Sequence, residues 1–160
     1  SFMYRYFCSP LADALVRRFV PVWVAPNLIT CLSLVPSLLG HAVIWHYSGD
    51  LSTECPGWCL VLAGICTFAY QTMDNMDGKQ ARRTCTSSPL GLFLDHNVDA
   101  LNITLSAMNV MAMLQAGSSR SRCIAVWALS ASPFFFATWE EFYTGALYLG
   151  LVNGPTDGVL

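Results

Sequence analysis

Charge is what this chain has least of. Eight Lys and Arg and ten Asp and Glu make up 11% of 160 residues, against about 25% in an ordinary soluble domain. The net charge of −2 supplies no basic surface and gives no reason to expect a nucleic-acid partner. The cysteines, at 8, 31, 55, 59, 66, 85 and 123, have no metal-binding rhythm: Cys55 and Cys59 are four apart, with no matching pair and no His cluster. They read as free small residues, neither a zinc site nor a disulfide framework. There is no internal repeat and no low-complexity tract, and Tyr4, Arg5 and Tyr6 lead into a mixed polar segment in place of a clean signal-peptide core. The first residue is Ser, and a Gly-Pro-Thr-Asp-Gly run stands just before the last residues; together they give the expectation of an internal fragment of a longer protein.

What fills the chain instead is apolar. Hydrophobic residues make up 54%, with five Trp, six Tyr and nine Phe, and mean hydropathy is +0.48. Residues 1–24 read as an amphipathic segment lying in a membrane interface, with Phe7, Leu11, Leu15 and Val16 set against Asp13, Arg17 and Arg18. Residues 25–160 read as a transmembrane domain of about four spans plus a truncated fifth. The first span covers residues 27–47, with Asn27 as its cap, and is long enough to cross a bilayer. A polar loop over 48–57 follows. The second span runs from Trp58 to Met76, with Gly78 expected to loosen or end it. The third starts near Pro89 and runs to Leu114, and the fourth covers 123–139 with an interruption at Ser132-Pro133. A fifth begins near Gly145. Lys79, Arg82, Arg83, Arg17 and Arg18 place their side in the cytosol, with Arg120 and Arg122 as a smaller conflict.

Inside this apolar chain sit four carboxylates. Asp74 and Asp77 are three apart and Asp95 and Asp99 are four apart, so each pair shares a helix face. If the two helices are antiparallel neighbours, all four lie near one membrane surface and repel unless cations bind between them. Oxygen ligands of this kind suit Mg²⁺ or Mn²⁺, with two ions as the expectation. Gly78 and Gly91 leave room for a ligand near the backbone, while Lys79 and Arg82 suit a phosphate. The pattern points to phosphoryl or phosphodiester transfer at the membrane surface. A cation channel or transporter stays open from physics alone, although it calls for carboxylates spread along a pore. Glu140 and Glu141 fit interface exposure or contact with a substrate ammonium. Tyr70, Trp139 and Tyr143 fit anchoring or a cation-binding face.

The run Asp74-x2-Asp77-Gly78-x2-Ala81-Arg82-x8-Gly91-x3-Asp95-x3-Asp99 resembles the signature of the CDP-alcohol phosphotransferase family. Tyr70-Gln71-Thr72, the stretch Asp77–Thr84, Ser87–Gly91 and Asp95-His96 are similar to the eukaryotic choline/ethanolamine phosphotransferases. So is the entry to the first span, Ala25–Thr30, and the stretch Asn153–Gly158 is similar to the plant-type aminoalcohol phosphotransferases. The resemblance implies an all-α integral membrane protein with that family's transmembrane helical bundle, in the endoplasmic reticulum or Golgi, multi-pass, with its active site facing the cytosol. It implies transfer of phosphoethanolamine or phosphocholine from CDP-ethanolamine or CDP-choline to diacylglycerol, with release of CMP, dependence on Mg²⁺ or Mn²⁺, and homodimers. Full-length members have more spans than this chain can hold.

Carried over residue by residue, the resemblance makes Asp74, Asp77 and Asp95 metal ligands and Asp99 a ligand or general base. Gly78, Ala81 and Arg82 line the nucleotide pocket, with Lys79 beside them, and Gly91 permits close approach. His96 becomes the candidate base, its unperturbed imidazole being better suited than a metal-bound carboxylate, with Asp157 as the acidic residue that orients it. This branch usually shows Gly-Glu-Leu-Phe-Asp-His-Gly, where the chain has Leu92 for the Glu and Asn97 for the second Gly. These departures bear on nucleotide or headgroup contacts. The alternative to a full transferase is a fragment that binds nucleotide and metal, or only dimerises, without turnover.

Overall fold

The first long helix hides its small residues and shows its large ones. The structure, a computed structural model, describes residues 4–145. Helix α1 covers Ser9–Phe19 after a short π-helical stretch, and α2 covers Pro26–Ser48. Along α2 the inward positions are mostly small, Thr30, Ser33, Ser37, Gly40 and Ser48 beside Ile29 and Ile44, while Leu28, Leu32, Val35, Leu38 and Leu39 face out. Water would drive the opposite sorting. A helix that meets lipid outside and other helices inside sorts this way, because small residues let backbones approach and lipid accepts the large apolar ones. Among the described residues α2 alone is long and apolar enough by composition to cross a membrane. Helices α3 (Gly57–Thr84), α4 (Pro89–Met113) and α5 (Arg120–Thr144) have 28, 25 and 25 residues. They have the length for a span, but charged residues at their ends and interiors lower their hydropathy. No strand occurs among the described residues.

Helix α2 packs along both α3 and α4, α1 lies on α3, and α5 on α4. The α2–α3 seam is tight at Gly40, where an added Cβ would stand 3.0 Å from Cys66 Cβ and 3.3 Å from Ala63 Cα. Between α2 and α4 the contacts are polar: Ser37 Oγ donates to Asn102 Oδ1 at 2.6 Å, and His41 Nδ1 lies 2.9 Å from Asn109 Oδ1. Helices α3 and α4 meet little and leave an apolar cleft of about 690 Å³, lined among others by Leu60, Ile103, Val126 and Phe134.

Three local expectations are corrected. Gly78 does not end the second helix: α3 runs on to Thr84 and stops at Cys85 in the left-handed region, φ 55°. Good helix formers follow the glycine, and Lys79, Gln80 and Arg83 are held by bonds to the N-terminal segment. Pro133 does not interrupt α5, which continues to Thr144. Asn27 is not a cap. Ala25 holds the N-cap position of α2, with Pro26 in the first turn, and Asn27 Oδ1 instead lies 3.3 Å from the position a Cβ would take on Gly91.

At the far end the two loops lock together. Gly117 donates its N–H to Leu51 O at 2.9 Å, and an added Cβ would fall 2.1 Å from Asp50 O. Asp50 collects the Ser52 and Thr53 amides and the Thr53 hydroxyl, which hold its carboxyl below the usual range. That contribution is present near neutrality and is lost only as pH falls through the lowered value. Replacing Gly117 with Ala forces a methyl group against the backbone of Asp50 and Leu51, so we expect a loss of about 1–3 kcal/mol, read as a lower melting temperature in detergent. An unchanged melt would show that the loops do not pack this way.

Candidate active site at the joined ends of α3 and α4

The short link between α3 and α4, capped by Ser88 Oγ accepting from Gly91 N at 3.1 Å, returns the chain antiparallel. It thereby brings Asp74 of the first carboxylate pair to both members of the second. Asp74, Asp95 and Asp99 bring one carboxylate oxygen each to within 4.8 Å of one another. Asp77 is not in that group; it is buried and accepts from the Thr30 hydroxyl. Asp99 Oδ1 accepts from Tyr70 OH at 2.6 Å. Asp74 Oδ1 is a buried carboxylate oxygen without a hydrogen-bond partner. Three converging carboxylates with one such oxygen fit a hard divalent cation, which satisfies lone pairs that no protein donor reaches.

The remaining candidates divide. Arg82 folds over Gly78, its guanidinium nitrogens 3.6 and 3.9 Å from where a Cβ would be, and its side chain is exposed. Lys79 turns to α1, donating to Ser9 Oγ at 2.8 Å. Ala81 is half-buried, and Gly91 lies against Asn27 and Ser88. His96 sits on α4 between Asp95 and Asp99, with Nε2 3.4 Å from Glu141 Oε2 and both side chains largely buried. Its ring meets Phe134 edge-on at 6.1 Å. Asp157 lies outside the described residues. Leu92 and Asn97 are exposed, and Asn97 Nδ2 donates to Phe93 O at 2.6 Å.

Thr30, Tyr70 and Glu141 each contact one of the candidate residues; by sequence Tyr70 and Glu141 fitted only the alternatives of surface anchoring and a substrate cation, and Thr30 had no role. Thr30 and Tyr70 carried a signal, being polar side chains in apolar runs. Glu141 could not be told from Glu140 by sequence. The Tyr70 hydroxyl fixes a carboxylate of the group, so Tyr70→Phe should weaken Mn²⁺ binding about tenfold in a titration of the detergent-purified protein. Wild-type affinity would mean the hydroxyl does not set Asp99.

A helical bundle sorted for lipid and carrying a group of converging carboxylates defines a class of membrane protein. The chain belongs to the CDP-alcohol phosphatidyltransferase family, whose profile matches residues 23–151. It is an all-α membrane protein of that family. It is 40% identical over 159 residues to choline/ethanolaminephosphotransferase 2 of Arabidopsis thaliana, covering 99% of this chain and 40% of the relative. To choline/ethanolaminephosphotransferase 1 of Saccharomyces cerevisiae it is 34% identical over 160 residues, 100% of this chain and 40% of the relative. An uncharacterized class-I family protein of Dictyostelium discoideum is 42% identical over 143 residues, 89% of this chain and 36% of the relative. The chain thus spans about two fifths of the length of these relatives.

Proposed function

We propose that this chain carries the reaction site of a transferase that moves phosphoethanolamine or phosphocholine from the CDP-alcohol to diacylglycerol, releasing CMP. The observation that carries the reading is the convergence of Asp74, Asp95 and Asp99 beside a histidine paired with a half-buried glutamate. Asp74, Asp95 and Asp99 would hold Mg²⁺ or Mn²⁺, with Asp77 available to a second ion. An ion held there would supply charge neutralisation for the pyrophosphate. Gly78, Ala81, Arg82 and Gly91 form the nucleotide side, and Lys79 can join it on leaving Ser9.

The protein's own groups account for the rest. The lipid hydroxyl oxygen attacks the phosphorus that bears the aminoalcohol. The bond from that phosphorus to the bridging oxygen breaks, and CMP leaves with the electron pair. His96 accepts the hydroxyl proton, and Glu141 orients its ring and stabilises the imidazolium. Asp99, engaged by Tyr70 and its neighbouring carboxylates, is the less free base. The apolar cleft supports a lipid acceptor, since Phe134 both lines it and touches His96.

Residues 1–24 are read as the interfacial segment and 25–160 as the catalytic domain. The site end faces the cytosol of endoplasmic reticulum or Golgi membranes, and the protein works as a homodimer. The test is CMP release from CDP-ethanolamine and CDP-choline by the purified protein with diacylglycerol, with and without Mg²⁺ or Mn²⁺. Metal-dependent release that also requires the lipid supports the reading and ranks the headgroups. CDP-alcohol binding without release would reduce the chain to a nucleotide-binding part.

A further inference from the structure

We infer that Gln80 is a positioning residue for the carboxylate site, acting through the turn that leads into α2. The inference rests on the reading of that site as a divalent-cation site in which Asp77 serves a second ion beside Asp74, Asp95 and Asp99. Gln80 is 0% exposed, and its amide nitrogen donates to both Pro21 O and Val24 O at 3.0 Å. These two carbonyls bracket a turn closed by Val24 N to Pro21 O at 3.1 Å. The turn ends at Ala25, and α2 begins at the next residue.

The first two turns of α2 carry what reaches the site. Thr30 donates to Asp77, and Asn27 Oδ1 approaches Gly91 at the start of α4. Helix α3 therefore grips the entry to α2 at two points three residues apart on one face: Asp77 on Thr30 and Gln80 on the turn. A primary amide suits the second grip, because it offers two N–H donors to two carbonyls and brings no charge into a buried position. The neighbouring polar residues on α3 hold something else. Lys79 bonds Ser9, and Arg83 takes Val16 O and Val20 O at the end of α1. Gln80 alone of these three grips the turn into α2, so it sets where Thr30 stands against Asp77.

The test is a Mn²⁺ titration, followed by electron paramagnetic resonance, of the intact protein in detergent as Gln80→Met, Thr30→Val and the double variant, with helix content read by circular dichroism. Each single change should weaken Mn²⁺ binding about tenfold. The double change should be no more than about threefold worse than either single, because both remove one linkage. A double variant weakened by the product of the two singles, or a folded Gln80→Met with full affinity, overturns the inference alone. Should Gln80→Met fail to fold, hydrogen exchange in the unaltered protein decides. Mn²⁺ should slow exchange in residues 21–30 as well as around Asp74 and Asp95, and no change in 21–30 overturns the inference. Absence of Mn²⁺ binding in the unaltered protein overturns the reading of the site, and this inference with it.

Discussion

Asp95→Asn should abolish metal-dependent CMP release, lowering it at least about a thousandfold, which corresponds to roughly 4 kcal/mol of lost transition-state stabilisation. Asp95 is one of three carboxylates whose oxygens lie within 4.8 Å of one another. Asparagine keeps the shape and the carbonyl oxygen but removes the charge that a divalent ion requires. The fold should survive, because the change lowers the mutual repulsion of the converging carboxylates. The expected signature is therefore a protein of unchanged helix content, with Mn²⁺ binding lost and no recovery at raised metal concentration. Release that persists with Asp95→Asn would remove the carboxylate group from the reaction and leave the histidine without its assigned setting.

His96→Ala should lower kcat by about a hundred- to ten-thousandfold while leaving binding of the CDP-alcohol nearly intact. The imidazole acts on the acceptor hydroxyl and makes no contact with the nucleotide in this scheme. Glu141→Gln should cost less, roughly tenfold in kcat, because it retains a hydrogen-bonding group 3.4 Å from Nε2 but withdraws the charge that stabilises the imidazolium. The double change should cost no more than His96→Ala alone, since Glu141 works through the histidine. Steady-state kinetics with varied CDP-alcohol and diacylglycerol separate these effects. A Glu141→Gln protein with unaltered kcat would make the pair a packing contact, and a large rise in KM for the CDP-alcohol would place Glu141 on the headgroup.

Much of the architecture could be read along the chain because lipid imposes a length and an apolar composition on each span. The 48–57 loop and the helix start at Pro89 follow from local signals, Gly and Pro among polar residues. The continuation of α3 past Gly78 did not, since a glycine in a helix costs only about 1 kcal/mol against alanine, and the bonds of Lys79, Gln80 and Arg83 to the N-terminal segment oppose that cost. Pro133 similarly stays inside α5, where the pattern suggested a break. Asn27, a good capping residue by type, is placed instead beside Gly91.

The carboxylate spacing by itself determined that two helix faces carry paired acids, because positions three and four apart on a helix share a side. The lipid-like composition and the family resemblance were likewise complete in the sequence. Only the tertiary structure decided which acids converge, grouping Asp74 with Asp95 and Asp99 and giving Asp77 to Thr30. It alone paired His96 with Glu141 and Gln80 with the turn into α2. These contacts join residues 45 to 59 positions apart, and no local periodicity specifies them. They depend on how α2, α3, α4 and α5 pack, which is set by small residues such as Gly40, Ala63 and Cys66 that look alike in sequence wherever they fall.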